Sequence, residues 1–503
     1  MNDRVLNDNP ERGLRCCLCP ASQGAFFGKK YLMLGSLPLL TRWAGPALLG
    51  LLACVISESI HRSVAWAVSP PNFVLILADD LGWADAGCYG NRFNETPAID
   101  RLAAEGLRWS QFYAGPVCSP TRANIQSGQD QARFGITQHI PGHRRPFAKL
   151  IDPVVPRHLP LEVETFAERL TAAGYASGYF GKWHLGAGDF GPQAQGWQEV
   201  FESKGNQLPP RITGESKPVR TTEYLTTRAI DFMRRHQQLP FVVQISHNAV
   251  HIPLSTTAQL LEKYQRKPAQ PGYPSLPEYA GLVEELDQSV GRLVAEVDRL
   301  GLGTRTLVLF VSDNGGLETQ QDGRIVTSNH PLREEKGTLY EGGIRVPGIA
   351  RWTATIPAGI VSDQPTTTID IYPTLLQLAG LQPNPGHPLD GASFAGQWQT
   401  PQQPPQHDAL YWHLPHYHHS TPASAIRAGQ WKLIEFFEDS RLELYNLHDD
   451  LGEQHDLAAS EPSRAEALRQ QLAAWRQDVG AAMPVPNPDY DPTRADQLGG
   501  KRP

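Results

Sequence analysis

Two short stretches constrain the fold more than anything else in the chain. Residues 73–78 (Phe-Val-Leu-Ile-Leu-Ala) and 306–312 (Thr-Leu-Val-Leu-Phe-Val-Ser) are almost uninterrupted apolar runs of strand length. A strand without polar alternation is covered on both faces, as in a parallel sheet flanked by helices. A third such run occupies 241–246, and a shorter one 176–180. Helical patterns fall between them, at 165–173, 221–235 and 277–300, and a short helix is expected from Thr96-Pro97 through Leu107. In the longest, Leu282, Leu286, Val290, Leu293, Val297 and Leu300 make one apolar face. Strands alternating with helices specify an α/β fold with a large, mostly parallel sheet sandwiched by helices.

The chain changes character after about residue 395. Residues 402–406 are Pro- and Gln-rich and read as a linker. Short strands at 425–427, 431–434 and 442–445 are spaced as hairpins. A helix at 461–480 carries Leu468, Leu472, Trp475 and Val479 on one face. The expectation is a smaller C-terminal antiparallel α+β subdomain over 396–483 and an extended tail over 484–503. The main domain then covers 72–395, behind an N-terminal segment of 1–71. With 503 residues there is enough chain for both cores.

The N-terminal segment has the marks of targeting. Lys29, Lys30 and Arg42 precede an apolar run at 44–56 that is short for a membrane span, and Ala65-Trp66-Ala67 follows as a small-x-small cleavage pattern. Leu51-Leu52-Ala53-Cys54 resembles a lipoprotein box, and Met33 is an alternative start. The reading is export, to a periplasmic, secreted or lipid-anchored location, through a signal peptide or an anchor. Four of the six cysteines lie before residue 60, so no disulfide framework remains behind them. Cys16, Cys17 and Cys19 lack the second half of a metal knuckle. A net charge of −7 without a basic stripe argues against a nucleic-acid partner.

Chemistry concentrates at strand ends. Asp79-Asp80 follow the first run and Asp313-Asn314 follow the run at 306–312. Ligands of open α/β sheets sit outside the carboxyl ends of the strands. Each pair alone suits a turn or a helix cap. Together they form an all-oxygen set suited to Ca²⁺ or Mg²⁺ rather than Zn²⁺. Cationic groups stand in Gly- or Pro-flanked loops that follow likely strands, or close to the Cys118 run: Arg122, Lys182, His184, His251 and Lys336. The run 411–419, Tyr-Trp-His-Leu-Pro-His-Tyr-His-His, is dense in aromatics and imidazoles. It reads as a second metal site, a surface loop or a rim that contacts a sugar.

The remaining feature is Cys118-Ser-Pro120-Thr-Arg122, running on to Gly128. Pro120 suits the first turn of a helix, which places Cys118 at a helix N-terminus and Arg122 one turn along. The run resembles the Cys-x-Pro-x-Arg signature of the type I sulfatases, with departures at Thr121, Gln126, Ser127 and Gln129. Asp79-Asp80-Leu-Gly, Gly181-Lys182-Trp183-His184-Leu-Gly, His251-x-Pro253, Asp313-Asn314-Gly-Gly and Lys336-Gly337 with Tyr340–Pro347 are similar to the family's other motifs, in its order. Arg427-x-Gly-x-Trp431-Lys432 and 444–447 resemble its small domain.

The resemblance implies an alkaline phosphatase-like fold and hydrolysis of sulfate esters of a glycan or aryl alcohol. It implies that Cys118 is oxidised to formylglycine by a formylglycine-generating or anaerobic sulfatase-maturating enzyme, and that the aldehyde hydrate is the nucleophile. Asp79, Asp80, Asp313, Asn314 and the modified Cys118 would hold Ca²⁺, with Mg²⁺ the lesser alternative. Arg122 and Lys182 would hold the hydrate, His184 would act as base, and His251 and Lys336 would bind the sulfate and protonate the leaving alcohol. The rivals are a phosphate ester or phosphonate hydrolase of the same superfold, and a non-catalytic, anchored glycan-binding protein.

Overall fold

The computed structural model describes residues 70–318, 320, 321, 323–400 and 406–499. The proposed targeting segment and most of the proposed linker therefore lie outside the described residues. The three apolar runs are strands, as expected: β1 (Asn72–Ala78), β5 (Phe241–Ser246) and β6 (Thr306–Ser312). With β2 (Leu107–Tyr113), β3 (Ala176–Gly181), β4 (Glu199–Glu202), β7 (Arg345–Arg351), β8 (Ile360–Ser362) and β9 (Thr366–Thr367) they make one nine-stranded sheet. Its order is β8-β2-β7-β6-β1-β5-β3-β4, and β9 also pairs β2. Only β7 runs against its neighbours β2 and β6.

Alternating side chains of the central strands feed two cores. Val74, Ile76, Val243, Ile245, Val308 and Phe310 pack beneath the helices α1 (Pro97–Ala104), α4 (Thr221–His236) and α6 (Pro277–Arg299). Phe73, Leu75, Leu77, Val242, Leu307 and Leu309 face the other layer, with α2 (Cys118–Ser127), α3 (Phe166–Ala172) and α7 (Ile371–Leu378). Helix α3 starts on a capping box, in which Thr165 and Glu168 each satisfy the other's backbone amide.

The expected helix through Leu107 is corrected. It ends at Ala104, and Leu107 opens β2. The amide of Gly106 bonds back to Ala103, and the Gly106 Cα lies so close to β7 that a Cβ would fall 2.1 Å from the Ala350 carbonyl oxygen. The chain therefore leaves the helix and enters the sheet at that glycine.

The C-terminal sheet has four antiparallel strands in chain order: β10 (Leu410–Leu414), β11 (Ala423–Ala428), β12 (Trp431–Phe436) and β13 (Leu442–Asn446). One face packs on α8 (Pro462–Asp478) through Leu468 and Leu472. The other meets Tyr113 of β2 and Leu339 and Ile344 of the segment leading into β7. Strand β10 belongs to the aromatic, His-rich run. In the tail, Val485–Pro486 pairs with Leu150–Ile151.

Candidate active site

The four central strands deliver the site. β1 ends into Asp79 and Asp80, and the neighbouring β6 ends into Asp313 and Asn314, in register through Ala78 and Ser312. On the other side of β1, β5 leads to His247 and the loop of His251, and β3 leads to Lys182 and His184. Gly181 permits this convergence. Its φ is 128°, and a Cβ there would lie 1.8 Å from the Ser246 carbonyl oxygen. Asp80 and His184 take φ values of 64° and 60°, a left-handed backbone that non-glycine residues adopt mainly where the surroundings impose it.

Cys118 is the first residue of α2, with Val117 as its extended cap, and the helix stops at left-handed Gly128. The thiol, which stands where an oxidised side chain would act, has its sulfur 3.6 Å from Asp79 Oδ1 and 3.9 Å from Asp80 Oδ1. Arg122, one turn on, donates from Nε and an amino nitrogen to Asp313 Oδ2 at 3.0 and 2.7 Å, and to the Lys182 carbonyl at 2.6 Å. Lys182 Nζ grips Asp79 at 2.7 and 2.9 Å. Lys336 Nζ grips Asp80 at 2.6 and 2.8 Å. His251 Nε2 lies 3.6 Å from Asp80 Oδ2. Asn314 donates to Asp80 Oδ1 at 2.8 Å, and its own Oδ1 is buried without a partner. All ten predicted residues thus converge on one locus.

The departures from the family signature have partners of their own. Gln126 donates to Gln244 at 2.8 Å and accepts from Trp197 at 3.2 Å. Thr121 accepts the Gly115 amide at 2.8 Å, Ser127 donates to the Ala123 carbonyl at 2.8 Å, and Gln129 donates to the Pro388 carbonyl at 2.6 Å.

Three carboxylates and three permanent cations share this buried space, and their titration follows from that. Burial raises the Asp79 carboxyl, but Lys182, His251, Arg122 and Lys336 together hold it well below the usual carboxylate range. Asp80 is lowered in the same way, burial being outweighed chiefly by Lys336. Asp313 goes the other way: burial and the Asp79 charge push it up to about 6 against Arg122. Burial pushes the Cys118 thiol up to about 12 despite Lys182 and Lys336. Burial, then Lys182 and Arg122, push His184 down to about 3, so it is neutral. Its Nε2 lies 2.8 Å from the Ile140 carbonyl, which can only accept, so Nε2 carries the proton. Nδ1 is then a lone pair, buried and without a partner.

A metal fits this locus. Ligand atoms of Asp79, Asp80, Cys118 and His251 lie within 4.8 Å of one another, and the orphaned Asn314 oxygen adds a hard donor. A cavity of about 1120 Å³ opens over it, floored by Asp79, Cys118, Lys182 and Lys336. Its walls include His184, His251, Trp183, Phe190 and Asn248.

The run 411–419 is divided by the structure. Trp412, His413, His416 and Tyr417 are buried: Trp412 donates to the Ala114 carbonyl at 2.9 Å, and His413 bonds Ser424 and the Ala482 carbonyl. Only His418 and His419 reach the cavity. Beside them stand two residues the sequence reading missed, His139 and His143. Their His-x-x-x-His spacing was the available signal.

An acidic cation site, a nucleophile position at a helix start and a ring of fixed positive charge define a hydrolase of anionic esters. The comparisons narrow this class. The sulfatase family model matches residues 71–381, and that of the N-sulphoglucosamine sulphohydrolase C-terminal region matches 333–478. A sulfatase of Formosa agariphila is 31% identical over 80% of this chain and 88% of its own length. The N-acetylgalactosamine-6-sulfatase of Sus scrofa is 36% identical over 67% of each chain. Among solved structures, Ps i-CgsB in complex with k-i-k-neocarrahexaose superposes with a TM-score of 0.70 at 26% identity, over 84% of this chain and 96% of that one. The chain belongs to the sulfatase family and is a sulfuric ester hydrolase.

Proposed function

We propose that this protein removes sulfate from a sulfated glycan, using formylglycine made from Cys118 and a Ca²⁺ ion held by Asp79, Asp80, Asp313, Asn314 and residue 118. The observation that carries the reading is the placement of Cys118 at the cavity floor, with its sulfur 3.6 Å from Asp79 and the Lys182 and Lys336 ammoniums paired to the adjacent carboxylates. The hard, oxygen-rich donor set supports Ca²⁺ over Zn²⁺. The bound cation would polarise the ester oxygens, and the aldehyde hydrate of formylglycine would supply the attacking oxygen.

The other residues act on that oxygen and on the ester. Arg122 and Lys182 hold residue 118 in place from the helix side and the floor. His184, neutral and with Nδ1 free to accept, takes a proton from residue 118. Lys336 and His251 face the cavity across Asp80, where they bind the sulfate oxygens and supply a proton to the departing alcohol. A glycan substrate is supported by two relatives: one is named for N-acetylgalactosamine 6-sulfate, and one is solved with k-i-k-neocarrahexaose. The partly exposed Phe190 ring at the cavity wall suits a sugar face.

We read residues 72–395 as the catalytic domain and 396–483 as the small subdomain. Export through the N-terminal segment, with membrane anchoring at Cys54 as one form of it, is part of the same reading. No helix among the described residues is long and apolar enough to cross a membrane. Peptide mass spectrometry of protein from its native host tests the nucleophile. A loss of about 18 Da at Cys118, thiol to aldehyde, is expected, and a wholly unmodified thiol would refute the mechanism. Parallel assays on an aryl sulfate and an aryl phosphate test the reaction, and faster turnover of the phosphate would reverse it.

A further inference from the structure

Three imidazoles outside this machinery meet at the cavity rim. His139 and His143 lie four residues apart on one loop, and His418 follows β10. One ligand atom from each lies within 4.8 Å of the others. The ring centroids of His139 and His143 are 4.5 Å apart, those of His143 and His418 5.3 Å, and those of His139 and His418 5.7 Å. The rings meet at 67°, 60° and 89°, so they turn edges toward one another and offer no common platform for a sugar. None of the three rings has a hydrogen-bond partner among the described residues, and His418 Nδ1 is buried without one. A histidine placed for core packing alone would have its ring nitrogens satisfied.

The rings are held in place by their backbones. His143 donates its amide to Gln138 at 3.2 Å, and His418 donates to Ser420 at 3.1 Å while its carbonyl accepts from Arg145 at 3.1 Å. Gly337, with φ at 80°, leaves room for the deepest ring: a Cβ there would lie 1.9 Å from His418 Nδ1. Burial keeps His139 and His418 neutral, and it lowers the partly exposed His143 in the same direction. Neutral imidazoles are poor anion binders and good metal ligands.

We propose that His139, His143 and His418 form a three-imidazole site for a zinc-class divalent cation, with a remaining coordination position open to the cavity. Tetrahedral bonds of about 2.0–2.1 Å set ligand nitrogens roughly 3.3 Å apart, which small ring rotations reach from the observed cluster. A nitrogen-only set rejects Ca²⁺, so the two cation sites discriminate by donor chemistry. The ion would tie the 139–143 loop to the segment carrying His419, whose Nδ1 lies 2.7 Å from the Lys336 carbonyl. It would thereby stiffen the rim on the side where Lys336 and His184 line the cavity.

The test uses the full chain saturated with Ca²⁺ and needs no turnover. Calorimetric titration with Zn²⁺ should show one site that His143→Ala and His139→Ala each weaken at least about 100-fold. His143 is exposed, so its variant should melt as wild type does. Titration with Co²⁺ should give the visible bands of a tetrahedral nitrogen site without a thiolate charge-transfer band. Zn²⁺ affinities within about threefold of wild type in both variants would overturn the site, as would a Co²⁺ thiolate band that Cys118→Ser removes. The Zn²⁺ affinities of the histidine variants do not depend on whether Cys118 is converted or sulfate esters are cleaved, so they test this site alone, whereas a Co²⁺ thiolate band lost in Cys118→Ser would count against both proposals.

Discussion

At the sheet's carboxyl edge, Asp79, Asp80 and Asp313 face Lys182, Lys336 and Arg122. Where the small sheet meets the large one, Lys432 sits between Glu341 and Glu453 at 2.9 and 2.8 Å, with Arg345 3.3 Å from Glu341. Tyr113 donates to the same Glu341 carboxylate at 2.7 Å, and Arg427 bonds Tyr113 in turn. Both clusters pair buried carboxylates with lysine and arginine, and Lys432 is fully buried. The first opens on a cavity and keeps orphaned acceptors, Asn314 Oδ1 and His184 Nδ1. The second does not line that cavity, and its charges hold β12 against the short helical turn Glu341–Ile344 before β7. Buried charge therefore does not by itself mark catalysis. Contact with the cavity is what separates the two clusters.

That contrast can be broken most directly at Cys118. Cys118→Ala should lower kcat/KM by at least about 10⁴-fold, as loss of a nucleophile does, while the thermal midpoint stays near wild type. Unfolding of this variant would place Cys118 with the structural cluster. Chelation comes next. Removing the metal should cut activity at least about 100-fold, the scale of a Lewis-acid contribution of several kcal/mol, and added Ca²⁺ should restore it. The ion-free protein should stay folded, because Lys182, Lys336 and Arg122 already balance the three carboxylates.

The closed cluster should respond in the opposite sense. Lys432→Met leaves Glu341 and Glu453 buried without their shared cation, and urea unfolding should show a loss of roughly 3–5 kcal/mol. Loss of turnover without loss of stability would contradict the assignment. The smallest effect is a pH slope. Burial and the Glu341 charge raise Glu453 to about 7 in the fold, above its usual 4.5, despite Lys432. A raised acid binds its proton more tightly in the folded state, so its contribution is fully present below about 4.5 and fades as pH rises toward 7. Glu453→Gln should flatten the stability curve in that window by up to about 1.4 kcal/mol per pH unit. An unchanged slope would remove Glu453 from the coupled set.

The sequence was legible where burial acts on both faces of an element. β1, β5 and β6 show as apolar runs because nothing in them meets water. β2 was hidden because its seven residues mix Arg108, Ser110 and Gln111 with apolar ones directly behind a helix, so its period resembled a helix end. β7 was hidden by Pro347 and Gly348. The sheet accepts them because its pairing with β2 slips in register between Val346 and Gly348, which is where a strand can tolerate a proline. β10 was hidden inside the aromatic, His-rich run, which a sequence reader assigns to function before structure. The ten residues expected at the site were legible as a group because they stand at strand ends and in motifs of fixed order, and the fold brings them to one locus. The His139, His143 and His418 cluster was not, because its third member arrives from 275 residues further along the chain, a juxtaposition that only the tertiary fold creates.

Helix α2 is buried from Cys118 through Ser127, and its sulfur and guanidinium are locked to strand ends up to 191 residues away. If Cys118 is converted as proposed, this burial sets a timetable for the step. A modifying enzyme would have to grasp the peptide around Cys118 from outside, and oxidation would then have to precede closure of the sheet. A chain that folds first is stranded with a thiol that its own packing conceals, so the yield of active protein is a race between folding and modification.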